Sequence, residues 1–369
     1  MFVSSPAYNN AIANLHECRK RSAKIKSYPL KLYLEPNTNC NLDCTYCYPR
    51  EWRVNKTMTM ELFEAIEKQL FGYCSEVNLF LRGEPTLAKN FPEMLDICAK
   101  YPMITKFFSN LSYNNDKILR KMVECGVWLN LSFDGIEETE KLRKGINIDQ
   151  VIRNMKFLQD YQKEINSKKF HLRLAVVVSK LNVRNLTNII EWADSMKIRE
   201  VMFGCLDAFH MKFKDAVTVE DVPIFEKAVK TADKLNIRVS TPSHIGGKKL
   251  EKSSNWNDFK LDIDDYFPHY CEDSNPDVDK RFCPYPWLEA VIQADGEVVS
   301  CCQRKIHMGW MTPKTDFIKE IWNNKAYNKL RSMKDFSKCK NSDGHPCGLA
   351  TYSIWGGENR LNNIPKSQK

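Results

Sequence analysis

Asn39-Cys40-Asn41-Leu42-Asp43-Cys44-Thr45-Tyr46-Cys47-Tyr48-Pro49 is the stretch that decides the fold. Its three cysteines are separated by three and then two residues, directly after an apolar run over 30–34. Intervals this short let three thiolates converge on one small object, and grouped thiolates suit zinc or iron–sulfur clusters. Structural zinc normally takes four protein ligands, usually as two short pairs. A triplet with an aromatic residue just before its last cysteine is a poor zinc site. As a cluster site it leaves one corner without a protein ligand.

Working outward, apolar strand-like runs alternate with amphipathic stretches of helical length from 29 to 206. The spacing predicts strands over 31–34, 76–81, 104–109, 128–133, 170–178 and 200–205, with helices over 59–73, 91–100, 116–125, 148–165 and 184–196. Such alternation predicts an α/β fold, a parallel sheet covered by helices. In barrels of this kind the loops after the strands carry the site, and the cysteine triplet follows the first strand. Arg82-Gly83-Glu84-Pro85 follows the second and Ser109-Asn110-Leu111-Ser112 the third. Ser132-Phe133-Asp134-Gly135, with Arg143-Lys144-Gly145 beyond it, follows the fourth, and Val178-Ser179-Lys180-Leu181-Asn182 the fifth. Singly these have plain readings: a strand-ending turn at Gly-Glu-Pro, an Asx turn at Asn110, and turn or capping residues at Lys180 and Asn182.

Taken as a series they resemble the radical S-adenosylmethionine (SAM) enzymes, whose signature is CxxxCx(aromatic)C. The resemblance implies a partial (β/α)6 TIM-like barrel in which Cys40, Cys44 and Cys47 hold a [4Fe–4S] cluster. SAM would complete that cluster and be split by one-electron reduction, the resulting 5′-deoxyadenosyl radical abstracting hydrogen from a substrate. Arg82–Pro85 resembles the GGEP motif with Arg in place of the first Gly, so Gly83 and Glu84 would meet the SAM ammonium, for which a carboxylate is the natural partner. Asn110 would line the pocket, with Leu111 replacing the Gly of a T-N-G segment. Ser132 and Arg143 would hold the SAM carboxylate, the Arg fork suiting its two oxygens. Asn182 would lie near ribose or adenine, and Tyr46 would stack near adenine, although an aromatic beside a loop is otherwise packing.

Beyond the barrel, 207–282 holds a helix over 222–235 and then a polar stretch, read as a bridge closing over the barrel mouth, with Cys271 as a spare ligand or free thiol. From Cys283 an apolar run over 288–293, Ala294-Asp295-Gly296 and a return run to Cys301-Cys302 read as a hairpin. It brings Cys283 near Cys301, and a helix over 316–333 then delivers Cys339 and Cys347. This Cys-x12-Gly-x4-Cys pattern resembles the SPASM and twitch extensions of the same enzymes, which bind auxiliary [4Fe–4S] clusters. A full SPASM set needs about seven cysteines. The cysteines here imply one auxiliary cluster, held by Cys283, Cys301, Cys339 and Cys347. Cys302 competes with Cys301, since adjacent strand residues face opposite ways. A structural four-cysteine zinc site is the alternative. The expected divisions are an N-terminal helix and connector (1–28), the barrel (29–206), the bridge (207–282), a small α+β cluster domain (283–355) and a tail (356–369).

Composition bounds the rest. The chain has 369 residues, 43% hydrophobic and 27% charged, as in an ordinary globular protein. No apolar run reaches the roughly 18–20 residues of a membrane span, and the start lacks a secretory pattern. The expected setting is therefore cytoplasmic, where fourteen cysteines mean metal ligands or reduced core thiols rather than disulfides. Cys18, Cys74, Cys98 and Cys125 lie in amphipathic helical stretches and read as core residues. A net charge of +9 is spread along the chain, a weak pointer to nucleic acid and compatible with an anionic substrate.

The expected activity is oxidation of a small polar molecule (sugar, aminosugar or nucleotide), with the auxiliary cluster as electron acceptor and flavodoxin or ferredoxin as electron donor. The auxiliary cluster could otherwise ligate substrate or tune potential. The alternative is a SPASM-type maturase acting on a peptide or protein. Many of those carry a leader-binding domain of roughly 80 residues ahead of the barrel, whereas 28 residues precede this one, which favours the small molecule. The remote alternative is a zinc-stabilised nucleic-acid-binding module. It predicts zinc, no SAM binding and affinity that falls steeply with salt.

Overall fold

The computed structural model describes residues 5–47, 54–205, 215–242, 244–245, 248–254, 283–301, 306–333 and 336. Six strands form where the alternation predicts them: β1 (Lys31–Leu34), β2 (Glu76–Asn78), β3 (Ile104–Ser109), β4 (Trp128–Ser132), β5 (His171–Val178) and β6 (Glu200–Cys205). Each is parallel to the next. The covering helices are α2 (Met60–Leu70), α3 (Phe91–Cys98), α4 (Asp116–Glu124), α5 (Ile136–Leu142), α6 (Ile148–Glu164) and α7 (Leu186–Ser195), with α1 (Pro6–Arg19) ahead of them. Thr59, Asn115 and Asn147 cap α2, α4 and α6 by accepting from a backbone N–H three residues on, which satisfies a donor the helix start leaves open.

The sheet extends past six strands at both edges. From the segment expected to be only a bridge, α8 (Val222–Lys234) and β7 (Arg238–Ser240) add a seventh parallel unit beside β6. At the other edge β8 (Glu289–Ile292) lies parallel to β1. It turns through 293–296 into antiparallel β9 (Glu297–Val299) and then β10 (His307–Trp310). The predicted hairpin forms, and it continues the barrel sheet rather than making a separate one. The helix predicted over 316–333 is two pieces, a π turn at Phe317–Trp322 and α9 (Lys325–Arg331). Asn323 ends the first, and Asn324 caps the second by accepting from Tyr327 N–H at 3.0 Å, because an Asn side chain competes for backbone groups better than it propagates a helix.

Side-chain alternation divides the strands into two faces. One face carries Leu32, Leu34, Val77, Leu79, Phe107, Leu129, Leu131, Leu174 and Phe203, all buried beneath the helices. The other faces the lumen and is layered. At the N-terminal end of the strands Lys106–Glu76 (2.5 Å), Arg173–Glu200 (3.1 Å) and Arg238–Glu200 (3.3 Å) form a charged floor. Above it Tyr33, Phe80 and Phe108 meet edge to face, with centroids 5.7 and 4.8 Å apart. The uppermost layer, at the C-terminal strand ends, holds Glu35, Arg82, Asn110, Ser132 and Asp134.

Candidate functional site

The cysteine loop opens at the top of β1, and its neck is fastened on both sides. Asn37 bridges Thr57, Thr38 N–H donates to the Lys56 carbonyl at 2.9 Å, and Met58 N–H donates to the Pro36 carbonyl at 2.9 Å. Its middle is fastened too: Asp43 and Cys44 pair antiparallel with Lys144 and Arg143. Cys40, Cys44 and Cys47 are each half-buried. Cys40 Sγ accepts from Leu42 N–H at 3.5 Å and from Asn110 Nδ2 at 3.9 Å. Burial pushes the Cys44 thiol up to about 11, Arg143 pulls it back, and the fields of Cys47 and Cys40 push it further up. The three thiols therefore sense one another, and without a cluster Cys44 is held as the neutral thiol. Among the described residues no three Cys, His, Asp or Glu side chains are drawn as tightly together as a bound metal would draw them.

The loops after β2 and β3 close on this one. A Cβ at Gly83 would stand 2.4 Å from the Asn37 carbonyl oxygen and 2.7 Å from that of Asn39, so only glycine permits the approach. Glu84 is 3% exposed. Its Oε1 accepts from Thr86 N–H, Thr86 Oγ and Ser109 Oγ, and its Oε2 accepts from Asn110 N–H at 2.8 Å. Burial is the larger influence and raises its pKa; these four donors pull the other way. The carboxylate expected to meet an ammonium is thus first a brace between two loops, with acceptor capacity left on Oε2. Asn110 is likewise a brace, donating from Nδ2 to Asn41 Oδ1 at 2.9 Å and accepting from Ser112 N–H and Oγ. Leu111, standing where the family pattern has Gly, adopts φ +53, the left-handed region that favours glycine.

Three of the residues expected around SAM are engaged by the protein's own hydrogen bonds. Arg143 does not present an open fork: Nε and Nη2 hold Asp134 at 2.8 and 3.2 Å, buried, and the guanidinium lies 5.4 Å from the Tyr46 ring centre. The Tyr46 hydroxyl also donates to Asp134, which fixes this half-buried ring beside the ion pair. Asn182 is fully buried. Its amide donates to the Asp134 and Val177 carbonyls and accepts from Ser179 N–H, leaving no donor for a ribose. Ser132 is half-buried at the end of β4, on the strand face that carries the top layer. The residue that sequence reasoning passed over is Asp134, which also accepts from Val177 N–H at 2.9 Å. Its one signal was its position just after β4, ahead of a glycine that takes φ +118.

Cys283 and Cys301 are half-buried and lie at the same end of the β8–β9 hairpin. That end is level with Glu289, whereas Gln293 at the other end reaches Arg82. Four residues at the strand rise put roughly 13 Å between the two levels. Cys302, Cys339, Cys347 and Cys271 lie outside the described residues. Cys18, Cys74 and Cys98 are buried core thiols, and Cys125 is half-buried beside Asp96.

Comparison with known proteins matches this geometry. The family model for the radical SAM superfamily matches residues 34–193, and the model for the SPASM iron–sulfur cluster-binding domain matches 283–347. The chain thus carries a radical SAM domain and a SPASM-type iron–sulfur cluster-binding domain. Those two domains imply two [4Fe–4S] clusters and SAM. The cysteine-type anaerobic sulfatase-maturating enzyme of Clostridium novyi is 26% identical over 360 residues, covering 86% of each chain. The Fe-coproporphyrin III synthase of Methanosarcina barkeri is 26% identical over 169 residues, 44% of this chain and 41% of that one. Among solved structures, Streptococcus suis SuiB bound to its precursor peptide SuiA superposes with a TM-score of 0.64 at 16% identity, covering 96% of this chain and 80% of that one. Among the described residues no helix is long and apolar enough to cross a membrane.

Proposed function

We propose that this protein is a radical SAM enzyme that modifies a peptide or protein side chain, with Cys40, Cys44 and Cys47 holding the SAM-cleaving cluster and Cys283, Cys301, Cys339 and Cys347 the auxiliary one. The observation that carries the substrate class is the relation to the C. novyi enzyme, named as a sulfatase-maturating enzyme, which runs through barrel and cluster domain alike. The small polar substrate expected from the sequence has a weaker counterpart, a nucleotide dehydratase of Lacinutrix mariniflava, 24% identical over 160 residues, 41% of this chain and 33% of that one.

Held by Cys40, Cys44 and Cys47, a four-iron cluster would supply the electron for splitting SAM. The chain's own residues do the rest. Leu42 N–H and the Asn110 amide donate to Cys40, and Arg143, fixed by Asp134, sets a positive charge against Cys44. Glu84 holds two loops in register and keeps an acceptor position open on Oε2, while the Ser132 hydroxyl waits at the end of β4. Below them Tyr33, Phe80 and Phe108 give the lumen an apolar layer that limits water near a reactive radical.

The test is iron, sulfide and zinc content after anaerobic reconstitution, for the wild type and the Cys40/Cys44/Cys47→Ala triple variant. About eight irons per chain falling to about four is expected for two four-iron clusters. Release of 5′-deoxyadenosine is then followed with cysteine- or serine-containing peptides against sugars and nucleotides. Zinc without iron sinks the enzyme reading, and turnover on sugars or nucleotides alone sinks the peptide one.

A further inference from the structure

Helix α6 buries four apolar side chains, Ile148, Val151, Met155 and Leu158, and one polar one, Asn154. Asparagine is a poor helix former and a costly residue to bury, so its place here needs a reason. Its amide donates to the Leu111 carbonyl at 2.9 Å and to the Tyr113 carbonyl at 3.0 Å. Its Oδ1 accepts from Gln150 Nε2 and Arg153 Nη1, both at 2.8 Å. Both amide hydrogens and the carbonyl oxygen are thus engaged, and the two hydrogens hold the chain just after β3. Leu111 is strained: its φ of +53 is costly without glycine and persists only where the surroundings fix it. Leu111 N–H donates to Ser109 Oγ at 3.0 Å, Asn154 takes its carbonyl, and its side chain is buried.

The turn at Leu111 sets the direction of Asn110. Across it Asn110 Oδ1 accepts from Ser112 N–H at 2.9 Å and from Ser112 Oγ at 2.8 Å. The amide is then oriented so that its Nδ2 donates to Asn41 Oδ1 at 2.9 Å and to Cys40 Sγ at 3.9 Å. Leu42 N–H is a second donor to the same sulfur, at 3.5 Å. A sulfur facing two N–H donors fits a thiolate ligand of an iron–sulfur cluster, and such donors orient the ligand and tune the metal. We propose that Asn154 is a positioning residue for the SAM-cleaving cluster: by holding Leu111 in its left-handed turn it aims the Asn110 amide at Cys40, and so sets the reduction potential of the cluster that Cys40 ligates. This rests on the assignment of Cys40, Cys44 and Cys47 made above.

An N–H donor to a ligand sulfur favours the reduced, more anionic cluster, so it raises the potential. The experiment takes the full, reconstituted chain and follows, by EPR-monitored potentiometric titration, the cluster signal that is missing from the Cys40/Cys44/Cys47→Ala chain. Asn110→Ala and Asn154→Ala should each move its midpoint negative by roughly 30–59 mV, a threefold to tenfold change in a one-electron couple. Adding Leu111→Gly to Asn154→Ala should recover part of the shift, because glycine takes the left-handed conformation without support. If Asn154→Ala does not fold, Asn154→Asp, which keeps the shape and the acceptor for Gln150 and Arg153, decides. There too Leu111→Gly should recover part of the shift, which the field of an added charge would not allow. Iron content that does not fall in the triple-alanine chain overturns the cluster assignment and this proposal together. A loaded cluster whose midpoint is unmoved in the folded Asn154 variants, or moves by an amount that Leu111→Gly leaves intact, overturns the role of Asn154 alone.

Discussion

Asp134 joins three loops with one carboxylate. Oδ2 receives Arg143 Nε and the Tyr46 hydroxyl, and Oδ1 receives Arg143 Nη2 and Val177 N–H. The buried pair raises the Arg143 pKa above its usual value and holds the segment that pairs with Cys44. Asp134→Ala would leave a buried guanidinium with no carboxylate, a change that costs about 3–5 kcal/mol. Urea unfolding of the cluster-free chain should show that loss, and reconstitution should show fewer irons at the triplet. Unchanged stability with full iron loading would remove Asp134 from the site. This residue also marks where the sequence stops being informative. The cysteine spacing declares a cluster site because its chemistry is local, within one loop. Who pairs with Arg143 is decided by a contact nine residues away in sequence and closed only in three dimensions, so an open fork was the natural expectation. Leu111 makes the same point: its left-handed φ is invisible to composition, yet it lets Asn110 turn back toward Cys40.

At the scale of elements, the strands and helices were legible wherever a period of two or of 3.6 ran long enough to register. β7 was not, because three residues in a polar stretch carry no period. Nor did any pattern tell that β8 would join β1, since a hairpin declares its own pairing and not its neighbour's. That junction has a measurable consequence. Lys31 stands in register with Glu76 on one side and Glu289 on the other. Burial pushes the Glu289 carboxyl up to about 8, with Lys31 pulling it down and Glu76 pushing it up. Between its ordinary value near 4.5 and about 8 the unfolded chain has released a proton that the folded chain keeps. The unfolded state then binds fewer protons, so stability falls as pH rises through this window and levels off above it. At about 1.4 kcal/mol per unit the loss is a few kcal/mol. Glu289→Gln should lose less thermal stability than the wild type between pH 5 and pH 8.5, measured on the cluster-free chain. Parallel Tm profiles for the two proteins would show that Glu289 ionises normally.

At the scale of the molecule, the residue that departs from the family pattern explains how the two cysteine regions are held in one body. Arg82, in place of a glycine, grips Glu35 with Nε and Nη2, both at 2.7 Å, and reaches Gln293 in the turn of the C-terminal hairpin. Glu35 is fully buried and also accepts from Ala294 N–H at 3.1 Å. Lys56, at the neck of the cysteine loop, pairs with Asp295 in the same turn. The loop that would receive SAM and the hairpin that leads to the auxiliary cysteines are therefore clamped at one end, while Cys283 and Cys301 lie at the other. Arg82→Ala would leave the Glu35 carboxylate buried with a single N–H, and should destabilise the cluster-free chain by about 3–5 kcal/mol. Glu35→Gln alone should also destabilise it. The double variant, lacking both charges, should lose less than the sum by about 0.5–3 kcal/mol, the usual coupling of residues in contact. Hydrogen exchange adds the spatial test: in Arg82→Ala the amides of Gln293 through Val299 should exchange faster while those of β4 and β5 keep their protection. Additive losses with unchanged exchange in the hairpin would mean that the hydrogen bonds between β1 and β8 hold the two regions together without the clamp.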